Sequence, residues 1–335
     1  MTGLDQLSPQ HAADSIVAVG AAAGSWACVG LDPRPELIPP SLRAAALARH
    51  GGDGAAAVAA AFLAFNLGLL DAVAGRAAAV KPQVACYEAY GAAGWAALEA
   101  TIAAATERGL PVVIDGKRND IGSTATHYAQ AAFGGAPGLD GTILSGMGGD
   151  WLTINGYLGT DGVAPFLAPT PSPTPTPAGS AVAGARGHGV FVLVHTSNPS
   201  AAEVQDQPGG QGTVAEHLAR LVAGWGHGRT GRHGLNDVGA VVGATWPDQA
   251  RQLRALMPDT LFLVPGYGTQ GGSAADALAG ARPIGVPGVL INSSRQIIGA
   301  WQHDDAEDWA GSARRALEAM NADVAVAAEA AGLSR

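Results

Sequence analysis

Short apolar runs alternate with longer Ala-rich stretches along most of the 335 residues. The runs at 26–31, 78–81, 112–115, 151–155, 190–194, 238–242, 261–264 and 288–291 are mostly apolar and too short for helices. Such runs read as parallel strands covered on both faces. Most are separated by a helix-length segment. At 54–70 the bulky residues Val58, Phe62, Phe65 and Leu69, continued by Val73, step by three or four. That spacing suits a core-facing helix rather than a membrane span. Strand and helix alternating eight times predict a single α/β domain over 1–335, a closed (β/α)8 TIM barrel. An open doubly wound sheet is the alternative, but no G-x-G-x-x-G follows the first strand.

Two segments interrupt the pattern. Residues 168–180 read APTPSPTPTPAGS, a Pro/Thr run that cannot be helix. It predicts a surface insertion at about 168–185, between the fourth and fifth strands. The other reading of that run is a proline-rich ligand for a partner domain. Residues 225–236, WGHGRTGRHGLN, place His227 and His233 six apart with His217 upstream. No acidic or Cys partner falls at the usual ligand spacing, so a polar loop is expected there, not a metal site. Residues 304–331 are amphipathic and predict a helix in the barrel's outer ring.

An apolar fraction of 47% supplies a large core, and 14% charged residues argue against an extended disordered chain. The formal charge of −9 argues against a nucleic-acid surface built on bulk basic charge. Cys28 and Cys86 cannot form a disulfide framework, so a reduced cytoplasmic compartment is expected. No basic residue precedes Arg34, so no secretory or transit signal is visible. One count changes the picture more than these. Of 19 basic residues only Lys81 and Lys117 are lysines; all the others are arginine. In a chain biased toward Arg, a surviving lysine is a candidate for work that needs an ammonium able to give up its proton.

In a barrel, reactive side chains sit at the C-terminal ends of strands. Those ends carry Asp32 after the first strand, Lys81 at the second, and Asp115-Gly-Lys117-Arg-Asn-Asp120-Ile121 at the third. Residues two apart on an extended chain point the same way, which pairs Asp115 with Lys117. Singly, each has a plain reading: an ion pair for Asp115 and Lys117, a helix N-cap for Asp120. Together, both lysines of the protein lie on adjacent strand ends, interleaved with carboxylates. Such an array holds its members ionised and lets a positioned ammonium deliver a proton. A second group follows strands seven and eight: Val264-Pro-Gly-Tyr-Gly-Thr-Gln270-Gly-Gly-Ser273, then Asn292-Ser-Ser294-Arg295. Barrels commonly bind phosphate there, and Arg295 with Gln270 supplies a charged and a neutral donor.

At these residues the chain resembles orotidine 5′-phosphate decarboxylases, in particular their longer bacterial subgroup. Val29-Gly-Leu-Asp32-Pro33, Lys81-Pro-Gln83 and Asp115-Gly-Lys117-Arg-Asn-Asp120-Ile121 are similar to the family's first three strand-end motifs. Val194-His-Thr196-Ser197-Asn198-Pro199 is similar to its pyrimidine-reading segment, and the two loops above to its phosphate gripper. Gly116, Asn119 and the Asn155-Gly pair depart from the family pattern without touching an assigned residue. The resemblance implies decarboxylation of orotidine 5′-monophosphate (OMP) to UMP and CO2, with neither metal nor cofactor. It implies that Lys117 protonates C6, Asp115 crowds the leaving carboxylate, and Lys81 holds the array and the ribose. Asp32 would contact the ribose, with Gln83, Thr196, Ser197, Gln270, Ser294 and Arg295 also binding substrate. Asp120 and Thr124, with Ile121 nearby, would complete the neighbouring site of a homodimer.

Three rivals remain at this stage. A sugar-phosphate enzyme of the same superfamily shares D-x-K-x-x-D but needs magnesium, and it lacks the Thr196-Ser197 segment and a lysine at position 81. A Schiff-base aldolase needs a lysine with a lowered pKa, whereas flanking aspartates raise it. A catalytically silent nucleotide-binding barrel would bind UMP without turnover.

Overall fold

A computed structural model describes residues 11–171 and 187–333. Eight parallel strands form the barrel: β1 Ala27–Leu31, β2 Ala79–Pro82, β3 Val113–Arg118, β4 Trp151–Ile154, β5 Gly189–His195, β6 Asn236–Val242, β7 Thr260–Val264 and β8 Val289–Ser293. Each of the eight falls on a predicted run, with ends shifted by at most three residues. They run in the order β2-β1-β8-β7-β6-β5-β4-β3. The seam between β2 and β3 is bridged at Val80–Val112 and Gln83–Asp115, so the barrel is nearly closed.

Strand alternation sorts every run into two faces. Val29, Val80, Ile114, Leu152, Val192, Ala240, Phe262 and Ile291 point outward into the core shared with the helices. Cys28, Ala79, Val113, Trp151, Phe191, Leu261 and Leu290 point inward and fill the lower barrel. Gly189 and Gly239 leave room there for the stacked Trp151–Phe191 pair, whose ring centres lie 4.4 Å apart. One turn higher, the inward positions become Lys81, Asp115, Thr153 and Asn292, beside Leu193, Val241 and Leu263. The same alternation that packs the floor therefore delivers the polar groups at the mouth.

An N-terminal helix, α1 Ala12–Ala23, plugs the floor with Ala12, Ala13 and Ile16. Its buried Asp14 accepts from the Arg232 and His233 amides, 3.0 and 3.2 Å away. The His-containing segment is thus a polar loop that clamps this plug, as expected. Among the described residues no group of three metal-ligating side chains occurs. Outside the barrel lie α2 Pro40–His50, α3 Ala55–Val73, α4 Gly91–Glu107, α5 Gly122–Phe133, α6 Thr160–Leu167, α7 Val214–Trp225, α8 Pro247–Leu256 and α9 Trp309–Ala330. By length and composition α3 could cross a membrane. Here its Phe62, Phe65, Leu69 and Val73 are buried, with Phe65 5.2 Å from the Trp309 ring of α9. The predicted tail helix is α9. Most of the Pro/Thr insertion lies outside the described residues.

Candidate active site

A cavity of about 310 Å3 opens at the C-terminal ends of the strands. Asp115 is its centre. Its Oδ2 accepts from Lys81 Nζ at 2.6 Å and from Gln83 Nε2 at 2.9 Å. Its Oδ1 accepts from Lys117 Nζ at 2.5 Å and from Thr153 Oγ1 at 2.9 Å. A carboxylate has about four lone-pair sites, so this one is saturated and fixed in orientation. Burial disfavours the Asp115 charge, but the Lys81 and Lys117 ammoniums outweigh it and hold the carboxyl well below its ordinary value. Burial likewise disfavours the Lys81 charge, and Asp115 with Asp32 overrides it, raising that lysine. Below them the buried Cys28 thiol is pushed up to about 12, chiefly by desolvation, and stays a neutral filler.

The reason Asp115 and Lys117 face each other differs from the one expected. The strand is not regular there. Its register with β4 shifts between Ile114 and Arg118, and Lys117 has φ 45°, the left-handed region that non-glycine residues avoid. Thr153 holds this bulge by accepting from the Lys117 amide at 2.9 Å while donating to Asp115. Strain of about 1–2 kcal/mol at such a residue persists only where neighbours impose it.

Asp32 reaches the same array from β1, with Oδ1 4.0 Å from Lys81 Nζ. That oxygen, like Asn292 Oδ1, is buried without a hydrogen-bond partner among the described residues. Both residues line the cavity, offering acceptors to a ligand bearing hydroxyl or N–H donors. Gly30 sits inward on β1, where a Cβ would collide with Ser294 Oγ, so the glycine is what lets β1 and the 293–295 turn approach.

The opposite wall is the loop 265–272. Gly266, Gly268 and Gly271 take φ of 105°, 72° and 94°, closing the loop through Gly268 N–H to Gly272 O at 2.9 Å and Gly271 N–H to Gly268 O at 2.8 Å. Gln270, Thr269, Ser294 and Arg295 line the cavity from this side, and Tyr267 OH anchors the loop to α9 through Asp323 at 2.8 Å. The helices that follow are four residues each, 274–277 and 295–298.

Asp32, Lys81, Gln83, Asp115, Lys117, Gln270, Ser294 and Arg295 thus surround one cavity. Ser197 stands just behind its wall: a Cβ on Gly266 would lie 3.3 Å from Ser197 Cβ and 3.4 Å from Gln270 Oε1. The Thr196 hydroxyl instead bonds Asn198 and Gln205, at 2.6 and 2.8 Å. Asp120, Ile121 and Thr124 lie outside this chain's cavity; Asp120 accepts from the Ile121 amide at 2.9 Å, and the N-cap of α5 is Ile121. Thr153 and Arg34 also line the cavity and escaped the sequence reading. Thr153 carried a signal, since it is a lone hydroxyl inside an apolar strand run. Arg34, on an irregular turn among many arginines, carried none.

Fold and site together define a (β/α)8 enzyme with a locked Lys–Asp array facing an Arg- and glycine-lined wall. A family profile described as "Orotidine 5'-phosphate decarboxylase / HUMPS family" matches residues 27–308. The chain is 41% identical over 304 residues to an orotidine 5'-phosphate decarboxylase of Rhodopirellula baltica, covering 89% of this chain and 93% of that one. It is 40% identical over 275 residues to the Deinococcus radiodurans protein of that name, covering 81% and 82%. A solved Leishmania donovani OMP decarboxylase superposes with TM-score 0.65 at 29% identity, covering 93% of this chain and 99% of that one. The chain belongs to the orotidine 5′-phosphate decarboxylase / HUMPS family.

Proposed function

We propose that this chain, acting as one barrel domain, decarboxylates OMP to UMP and CO2 in cytoplasmic de novo pyrimidine synthesis. The observation that carries the reading is the carboxylate of Asp115, saturated by Lys81, Gln83, Lys117 and Thr153. An anion that can neither rotate nor take up a proton at working pH opposes any substrate carboxylate placed against it. Loss of CO2 removes that opposition, so the interaction favours the transition state over the bound substrate. The C6–carboxylate bond breaks, CO2 departs, and the electron pair left on C6 takes a proton from Lys117 Nζ. The Lys117 side chain is 48% exposed, so the amine recovers its proton from solvent. Lys81 holds Asp115 and, through Asp32, the ribose hydroxyls. No electron sink enters this scheme; the developing charge is met by fixed ammonium groups.

Arg295, with Gln270 and the glycine loop, takes the phosphate; Ser197, held in place by Thr196, contacts the base, and Ser294 completes the nucleotide contacts. The active unit is a homodimer in which Asp120, Ile121 and Thr124 enter the neighbouring cavity. In its support, these residues lie outside their own cavity, the Asp120 carbonyl and Leu158 meet at Gly162, and Ile121 and Leu158 are 52% and 40% exposed. Large apolar groups exposed together mark a contact surface.

Replacing Lys117 by Ala tests the proton donor. Turnover should fall by at least about a thousandfold while UMP affinity changes by less than about tenfold. Retained turnover would mean that another group supplies the proton. Replacing Arg295 by Ala should weaken UMP binding by about 10- to 100-fold. Unchanged UMP affinity, measured calorimetrically, would place the phosphate elsewhere.

A further inference from the structure

The segment that follows β5 is locked by side chains that no step above uses. His195 is buried at the strand end, just past a register shift against β6. Its Nε2 lies 2.8 Å from Asp206 Oδ1. One residue inward on each side, the Gln205 amide grips Thr196 twice: Oε1 accepts from the Thr196 amide at 2.8 Å and Nε2 donates to Thr196 Oγ1 at 2.8 Å. Pairs 195–206 and 196–205 therefore make two rungs closing the loop that carries Ser197. Gln205 is itself fixed, donating its amide to Ala201 O at 2.8 Å and accepting from Ala215 N–H at 2.9 Å. From the other side Trp246 Nε1 donates to Thr196 O at 3.1 Å, and its ring meets the His195 ring edge to face at 5.6 Å.

This ladder fixes where Ser197 can be. Gly243 and Gly266 have no side chains to hold it off: a Cβ on Gly243 would lie 2.8 Å from Ser197 Cα. Ser197 is pressed between β6 and the 265–272 loop, at the point that Gln270 Oε1 also reaches. Both donors and one acceptor direction of Thr196 are spent inside the loop, so its side chain acts as the keystone rather than as a contact to ligand.

We infer that Gln205, backed by the His195–Asp206 pair, is a positioning residue that sets specificity for the base of the nucleotide by fixing Ser197 against the Gly243–Gly266 wall. The inference rests on the functional reading above, which makes Ser197 a base-side group and Arg295 a phosphate-side group. A clamp acting on the base alone should leave phosphate recognition untouched.

The test compares binding of UMP and of ribose 5-phosphate, which lacks the base, to the full-length protein by calorimetry. Gln205→Met keeps the length of the side chain and removes both bonds. UMP should bind about tenfold more weakly, with ribose 5-phosphate unchanged within about twofold. Asp206→Ala should move UMP binding in the same direction, and Asp206→Asn, which keeps an oxygen for the imidazole N–H, should restore it. The Asp206 pair carries the same readout should Gln205→Met fail to fold. Equal losses for both ligands, or no loss for either, would overturn the inference and leave the functional reading standing. An unmodified protein that binds UMP no better than ribose 5-phosphate would overturn both.

Discussion

Asp115 works because everything around it is already committed. With Lys81, Gln83, Lys117 and Thr153 all donating to it, its charge has no alternative partner and no freedom to turn. Asp115→Ala should lower stability by about 3 kcal/mol, because it strands the buried Lys81 ammonium. The two shifts act at opposite ends of the pH scale. The folded-state pKa of Asp115 lies below its ordinary 3.8, so its contribution is present above that value and fades as pH falls through the folded pKa. The folded-state pKa of Lys81 lies above 10.5, so its contribution is whole below 10.5 and fades only as pH rises beyond it. Urea unfolding of the parent protein and Asp115→Asn should therefore give a stability gap constant from about pH 5 to 9 and narrowing in acid. A gap that opened toward acid would mean that Asp115 is protonated in the folded state.

The eight strands were plain in the sequence because parallel strands buried on both faces must be continuous apolar runs, and the chain has eight. Their alternation also places Lys81, Asp115 and Asn292 inside without any structure, since each is two residues beyond an inward apolar neighbour. The bulge at Lys117 was not legible, as it depends on Thr153, 36 residues away in sequence. Nor was α1, whose Ala-rich run looks like many others until it meets the barrel floor. The loop 195–206 was read for two residues only, because its side-chain rungs join positions with no sequence periodicity. Packing between elements is equally specific. Gly68 of α3 lies directly against the Trp309 ring of α9, where a Cβ would overlap the indole. Gly68→Ala gains about 0.5–1 kcal/mol of helix propensity and incurs about 1–3 kcal/mol of overpacking. Thermal melting should show a net loss of a few degrees. Arg254 of α8 is buried with its guanidinium donating to the carbonyls of Met257, Thr260, Gly280 and Gly288, tying β7 to the loop before β8. Arg254→Met should cost about 3 kcal/mol or more, since it orphans buried carbonyls.

The whole barrel divides its labour by height. Its floor is sealed by α1 and the Trp151–Phe191 stack, its middle by alternating apolar residues, and its mouth holds the charged array and the glycine loop. The proposed dimer adds a prediction that one chain alone cannot meet. Lys117→Ala and Asp120→Ala proteins should each be inactive, and mixing them after subunit exchange should recover about a quarter of parental activity, from heterodimers with one intact site. No recovery, with exchange verified, would confine Asp120 to its own chain. The central claim is the reaction itself. The most direct measurement follows the ultraviolet absorbance of OMP with purified protein in excess EDTA, with the product identified by chromatography. Rapid loss of OMP with equimolar UMP is the predicted result. A flat trace from properly folded protein would contradict the account.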